Sequence, residues 1–171
     1  MNKTVFVVVG AKGGTGKEIV KSLLSIKDEN VVSEVRAVVR NPATTSGSGL
    51  PTDDARLKVL RGDCSRPDTL AAAFEGARAV FYAAAGRGYE GCKAVDREGV
   101  REAGRLAKKA EVDRFVLVSS QLVDPINYYS FIRGFLNTIN TGLFHWKGMM
   151  DFKFMGEKYL QASGQAYTII R

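Results

Sequence analysis

Six short apolar runs, rich in β-branched or aromatic residues and separated by helix or turn signals, constrain this chain more than any other feature. Val5–Val9, Val35–Val39, Leu57–Leu60, Ala79–Tyr82, Phe115–Val118 and Tyr167–Ile170 are continuous rather than alternating, which is how strands covered on both faces read. The stretches between them carry helical spacing. Ile19, Val20, Leu23, Leu24 and Lys27 form one stripe, and Pro67 opens a second helix through Leu70 and Phe74 with Gly76 past its end. From about Glu90 to Ala110, the residues Val95, Val100, Ala103, Leu106 and Ala110 fall on one side of a long helix. Strands alternating with helices make βαβ units with parallel neighbours and right-handed crossovers. The expectation is an α/β fold: a doubly wound, mostly parallel sheet of six strands in the order 3-2-1-4-5-6, with helices on both faces in three αβα layers.

At 171 residues and 45% hydrophobic, the chain is expected to form a single domain over 1–171 that needs no disulfide or metal staple. No apolar stretch reaches the length of a membrane span, and the N-terminal apolar run ends too early, at Gly10, for a signal peptide. Cys64 and Cys92 form no CxxC, and His145 is the lone histidine. A reduced compartment, cytoplasmic or the interior of an organelle, is therefore expected, with no metal site. The net charge of +7 is scattered. Its densest group, Arg97, Arg101, Arg105, Lys108 and Lys109, is interleaved with Glu98, Glu102 and Glu111. That pattern reads as a solvated helix face rather than a nucleic-acid stripe.

The strongest chemical signal lies between the first run and the first helical stripe, in Gly10-Ala-Lys12-Gly13-Gly14-Thr15-Gly16-Lys17. Glycines at 10, 13 and 16 let the chain turn sharply, let a pyrophosphate approach bare backbone, and let the helix pack closely on the strand. The helix N-terminus then offers its amides to the phosphates. Placed after a strand and before a helix, the triplet points to a Rossmann-type dinucleotide site. The same residues suit a deviant P-loop ATPase with Lys17 as phosphate ligand, but the hydroxyl that should follow for Mg²⁺ is replaced by Glu18. The end of the second strand selects the cofactor. Where an acidic residue would hold a ribose 2′-OH, this chain has Arg40, which suits a 2′-phosphate, with Lys12 as added positive charge. NADP(H) is thus expected in preference to NAD(H).

In order along the chain, the glycine loop, Val35-Arg-Ala-Val-Val-Arg-Asn-Pro42, Gly62-Asp63-Cys64, Val80-Phe-Tyr-Ala-Ala-Ala-Gly86, Arg114-Phe-Val-Leu-Val-Ser-Ser120 and Gly156–Arg171 resemble the NmrA-like, atypical short-chain dehydrogenase/reductases. The resemblance covers essentially the whole chain. It implies that Gly10, Gly13, Gly14, Thr15 and Gly16 hold the pyrophosphate and Arg40 the 2′-phosphate. It further implies that Asp63 and the Cys64 backbone bond the adenine, that Ala83, Ala84 and Ala85 line the ribose side, and that Ser119 and Ser120 stand near the nicotinamide. The family's reductases use a tyrosine four residues before a lysine that holds the ribose. The matching lysine is Lys153, but Met149 occupies the tyrosine position. The segment that completes the substrate pocket in relatives is expected to be short or missing here.

Two functions follow. One is an NADPH-dependent oxidoreductase acting on a small carbonyl or quinone-like substrate, with Lys153, Ser119 and Ser120 as its catalytic candidates. The other is a non-catalytic dinucleotide-binding redox sensor or assembly factor, meeting a protein partner through the aromatic-rich residues 125–148.

Overall fold

The computed structural model describes residues 4–45, 47–127, 129–142 and 148–171. Its six strands are β1 (Val5–Val9), β2 (Glu34–Val39), β3 (Leu57–Arg61), β4 (Ala77–Tyr82), β5 (Arg114–Val118) and β6 (Tyr167–Ile170). They form one sheet in the order β3-β2-β1-β4-β5-β6, and every pair is parallel. The expected topology is the observed one. Alternation along β1 sends Val7 and Val9 to one face and Val8 to the other. All three are wholly buried, each worth roughly 1.5–3 kcal/mol relative to exposure.

One face is covered by α1 (Gly14–Ser25), through Val20 and Leu24. On the other face lie α2 (Ala71–Phe74), α4 (Val100–Lys109) and α6 (Met149–Ala162), contributing Phe74, Val100, Ala103, Ala107 and Leu160. The helix read from Pro67 begins as a 3₁₀ turn, Pro67–Leu70, before α2. The outer strands depart from the two-sided burial of the sequence reading. β6 is largely exposed and β3 only partly covered, because each is an edge of the sheet.

The long helix after β4 is continuous but not uniform. α3 (Gly88–Cys92) leads into a π-helical segment, Lys93–Gly99, and then α4. Its basic residues pair locally, Arg97 with Glu98, Arg101 with Glu98 and Glu102, and Arg105 with Glu102, at 2.8–3.0 Å. This is the solvated face expected from the sequence.

Of the aromatic-rich segment, α5 (Phe131–Thr141) is described, whereas Tyr128, Phe144, His145 and Trp146 lie outside the described residues. The helix docks on α6 through polar groups. Arg133 meets Asp151 at 2.7 Å and donates to the Leu122 and Val123 carbonyls, while Asn137 bonds Asp151 and the Met150 N–H. Among the described residues no helix is long and apolar enough to cross a membrane.

Candidate functional site

The strand order reverses between β1 and β4, and the loops leaving these two strands diverge there to open a crevice. Gly10 turns the chain out of β1 at φ +79°, with its N–H and that of Ala11 on the Val38 carbonyl. A Cβ at Gly10 would sit 2.7 Å from the backbone of Ala84. Only glycine permits this approach. Gly13 is the N-cap of α1, so no side chain caps the first turn formed by Gly14, Thr15 and Gly16, and no acidic residue sits in it. Gly16 faces the Gly10 carbonyl so closely that any side chain would collide.

A cavity of about 910 Å³ occupies the crevice. Gly10 and Gly13 form its base, Ala83, Ala84, Ala85 and Gly86 one wall, and Asp63, Cys64 and Ser65 another; Lys12, Arg40, Asn41, Thr44 and Arg87 are among the other residues that line it. Nine of the proposed dinucleotide residues thus line a single space, namely Gly10, Lys12, Gly13, Arg40, Asp63, Cys64, Ala83, Ala84 and Ala85.

Lys12 reaches across 32 positions of sequence. Its Nζ donates to the Thr44 carbonyl at 2.7 Å and the Thr44 hydroxyl at 2.6 Å, on a 3₁₀ turn (Pro42–Thr44) whose N-cap is Asn41. No motif in the sequence marks Thr44. A hydrogen bond from the Ser65 hydroxyl, aided by the Ser65 N–H and the charges of Arg66 and Arg40, holds the Asp63 carboxyl below its ordinary value. Burial pushes the Cys64 thiol up to about 11 and the Tyr82 phenol well above its usual range. The phenol donates to the Val95 carbonyl at 2.8 Å. Both groups therefore stay protonated near neutral pH.

Lys153, Ser119 and Ser120 do not line this cavity. Lys153 donates to Asp96 at 2.7 Å, and the other Asp96 oxygen accepts the Gly86 N–H at 2.9 Å. Asp96 is 2% exposed, so it ties α6 to the cavity wall from behind. Ser119 donates to Glu157, which is buried and paired with Arg171 at 2.6 Å; Arg171 also reaches Asp124. Ser120 caps the short 3₁₀ turn Gln121–Val123. Met149 opens α6 one turn before Lys153. Asp96 and Glu157 were missed from sequence.

The cavity suits an extended dinucleotide: its volume lies within the usual range of about 300–1,000 Å³, its base is glycine backbone, and three cations, Lys12, Arg40 and Arg87, line it. A family model described as NAD(P)H-binding matches residues 10–171. The chain belongs to this NmrA-like, atypical short-chain dehydrogenase/reductase family.

Among relatives, the uncharacterized chloroplastic protein At2g34460 of Arabidopsis thaliana is 36% identical over 99% of this chain and 58% of its own length. The photosystem II assembly factor Ycf39 of Cyanophora paradoxa is 26% identical over 96% of this chain and 44% of its own. The chain therefore spans less than two thirds of either relative. The crystal structure of the oxidoreductase ylbE from Lactococcus lactis superposes with a TM-score of 0.74, at 24% identity, over 98% of this chain and 68% of that one. That likeness supports the Rossmann-type fold.

Proposed function

We propose that the protein binds NADP(H) in preference to NAD(H) and belongs to the reductase-like side of its family. The observation that carries this reading is Arg40, which lines the cavity at the strand end where NAD-selective sites hold a carboxylate, with Lys12 lining the same space. In this reading the amides of Gly13, Gly14, Thr15 and Gly16, with the bare Gly10 turn, hold the pyrophosphate. Arg40 and Lys12 hold the 2′-phosphate. Asp63 and the Cys64 backbone bond the adenine, and the small side chains of Ala83, Ala84 and Ala85 leave room for ribose.

When bound, the nicotinamide supplies or accepts hydride, and a small carbonyl or quinone-like compound is the substrate class. As the family resemblance implies, Lys153 exchanges its Asp96 contact for the nicotinamide ribose, and Ser119 or Ser120 positions the substrate oxygen. The free thiols of Cys64 and Cys92 and the chloroplastic relative support a reducing cytoplasmic or organelle interior.

A second reading is favoured by two observations. Met149 cannot exchange a proton where family reductases carry a phenol, and Lys153 is committed to Asp96. Here the protein senses the dinucleotide without turning it over and meets a protein partner through residues 125–148. The assembly-factor relative supports this.

Calorimetric titration with NADPH and NADH, followed by a hydride-transfer assay over a carbonyl and quinone panel, separates the readings. Tighter NADPH binding with turnover lost in folded Lys153→Ala supports the enzyme, and NADPH binding without turnover supports the sensor. Tighter NADH binding overturns the cofactor assignment.

A further inference from the structure

The outward face of α5 is apolar. Phe131, Phe135 and Ile139 recur at four-residue spacing and, with Ile132 beside them, are 85, 54, 63 and 59% exposed. Phe131 and Phe135 stack on each other at 6.4 Å between ring centroids. Ile126 and Tyr129, on the approach to the helix, are similarly exposed. At about 150–250 Å² for each large side chain, these six present on the order of 800 Å² of surface. The largest apolar patch of a typical monomer is about 300–600 Å², and each side of a standard protein interface buries about 800 Å².

We propose that this face pairs with the same face of a second copy of the chain, making a two-fold dimer that leaves both dinucleotide cavities open. Charge leaves this face open to a copy. The protein carries +7 overall, so two copies repel across most orientations. The single charged residue of α5, Arg133, is 4% exposed and held by Asp151. The helix therefore offers a self-facing surface with no like charges to appose. A helix that lies on a lipid surface carries exposed lysine or arginine along its polar face, whereas the one arginine of α5, Arg133, is buried against Asp151.

Shape agrees. Gly134 is exposed on the same face, and a Cβ added there would meet nothing within 4 Å. It leaves a notch between Phe131 and Thr138. An antiparallel two-fold crossing sets the phenylalanines of one copy over the notch of the other, as an isologous interface requires. No residue of α5 lines the cavity, so this pairing does not depend on the dinucleotide reading.

Sedimentation velocity of the whole chain at about 1 and 100 μM gives the test, alongside Phe131→Glu, Phe135→Glu and the double variant. The wild type should sediment as a dimer at the higher concentration, and each single substitution should weaken dimerisation by at least about 30-fold. Because these side chains are exposed, far-ultraviolet circular dichroism and NADPH titration should be unchanged in the variants, which keeps the two readings separable. A wild type that stays monomeric at 100 μM overturns the proposal, as does a dimer that survives both substitutions. Monomer that co-sediments with phosphatidylcholine–phosphatidylglycerol vesicles, and loses this with Phe135→Glu, assigns the face to lipid instead.

Discussion

Replacing Asp96 by asparagine should destabilise the protein far more than its similar shape suggests. The carboxylate is 2% exposed and bridges the Lys153 ammonium at 2.7 Å and the Gly86 N–H at 2.9 Å. The carboxamide oxygen can still accept from Gly86, so the loss falls on Lys153, whose side chain is only 13% exposed. Removing one partner of a buried pair costs roughly 3–5 kcal/mol, and partial access of Lys153 to water argues for the lower end. At about 2–4 °C per kcal/mol for a chain of this size, Asp96→Asn should lower Tm by roughly 6–12 °C. Lys153→Met should cost a similar amount by stranding the carboxylate. The double variant buries no uncompensated charge and should cost at least about 2 kcal/mol less than the sum of the single changes. Urea unfolding of the four proteins at pH 7 measures this coupling directly. Costs that add to within about 0.5 kcal/mol would refute the reasoning.

Arg40→Ala and Lys12→Ala should each weaken NADPH at least tenfold, on the order of one charge-assisted hydrogen bond, while leaving NADH unchanged by calorimetry; equal losses for both would remove the 2′-phosphate assignment. Hydrogen bonds from Arg56 hold the Asp54 carboxyl at about 2, below its value of about 3.9 in an unfolded chain. Its contribution to stability is therefore present above about pH 4 and lost as pH falls toward 2. Asp54→Asn should flatten that limb of a Tm-against-pH curve, and an unaltered limb would contradict it. Burial sets both Cys64 and Cys92 at about 11, so neither should react with Ellman's reagent at pH 8 until urea unfolds the chain. Rapid release of colour from the folded protein would show that a thiol is reachable.

What was legible in the sequence was what repeats or what chemistry restricts. Continuous runs such as Val5–Val9 gave the strands, and the intervening stripes gave the helices and hence the observed strand order. Gly10 and Arg40 could be placed because a bare turn and a strand-end cation each have few uses there. Contacts between distant residues were hidden. Asp96 and Lys153 are 57 residues apart, Lys12 and Thr44 are 32 apart, and Ser119 and Glu157 are 38 apart. Nothing in a local pattern says that two such side chains will meet. The direction in which α5 turns its phenylalanines was equally silent, because the same periodicity serves a face turned inward or outward.

Gly156 lies with its α-carbon against the Asp96 carbonyl, leaving no room for a side chain. The residue that grips Lys153 is thus also the one whose main chain abuts α6. The close approach of these two backbones sets α6 beside the segment that carries the carboxylate. An attempt to graft a phenol at position 149 onto this helix would inherit an ammonium already anchored from the rear, and would have to redesign positions 96, 153 and 156 together.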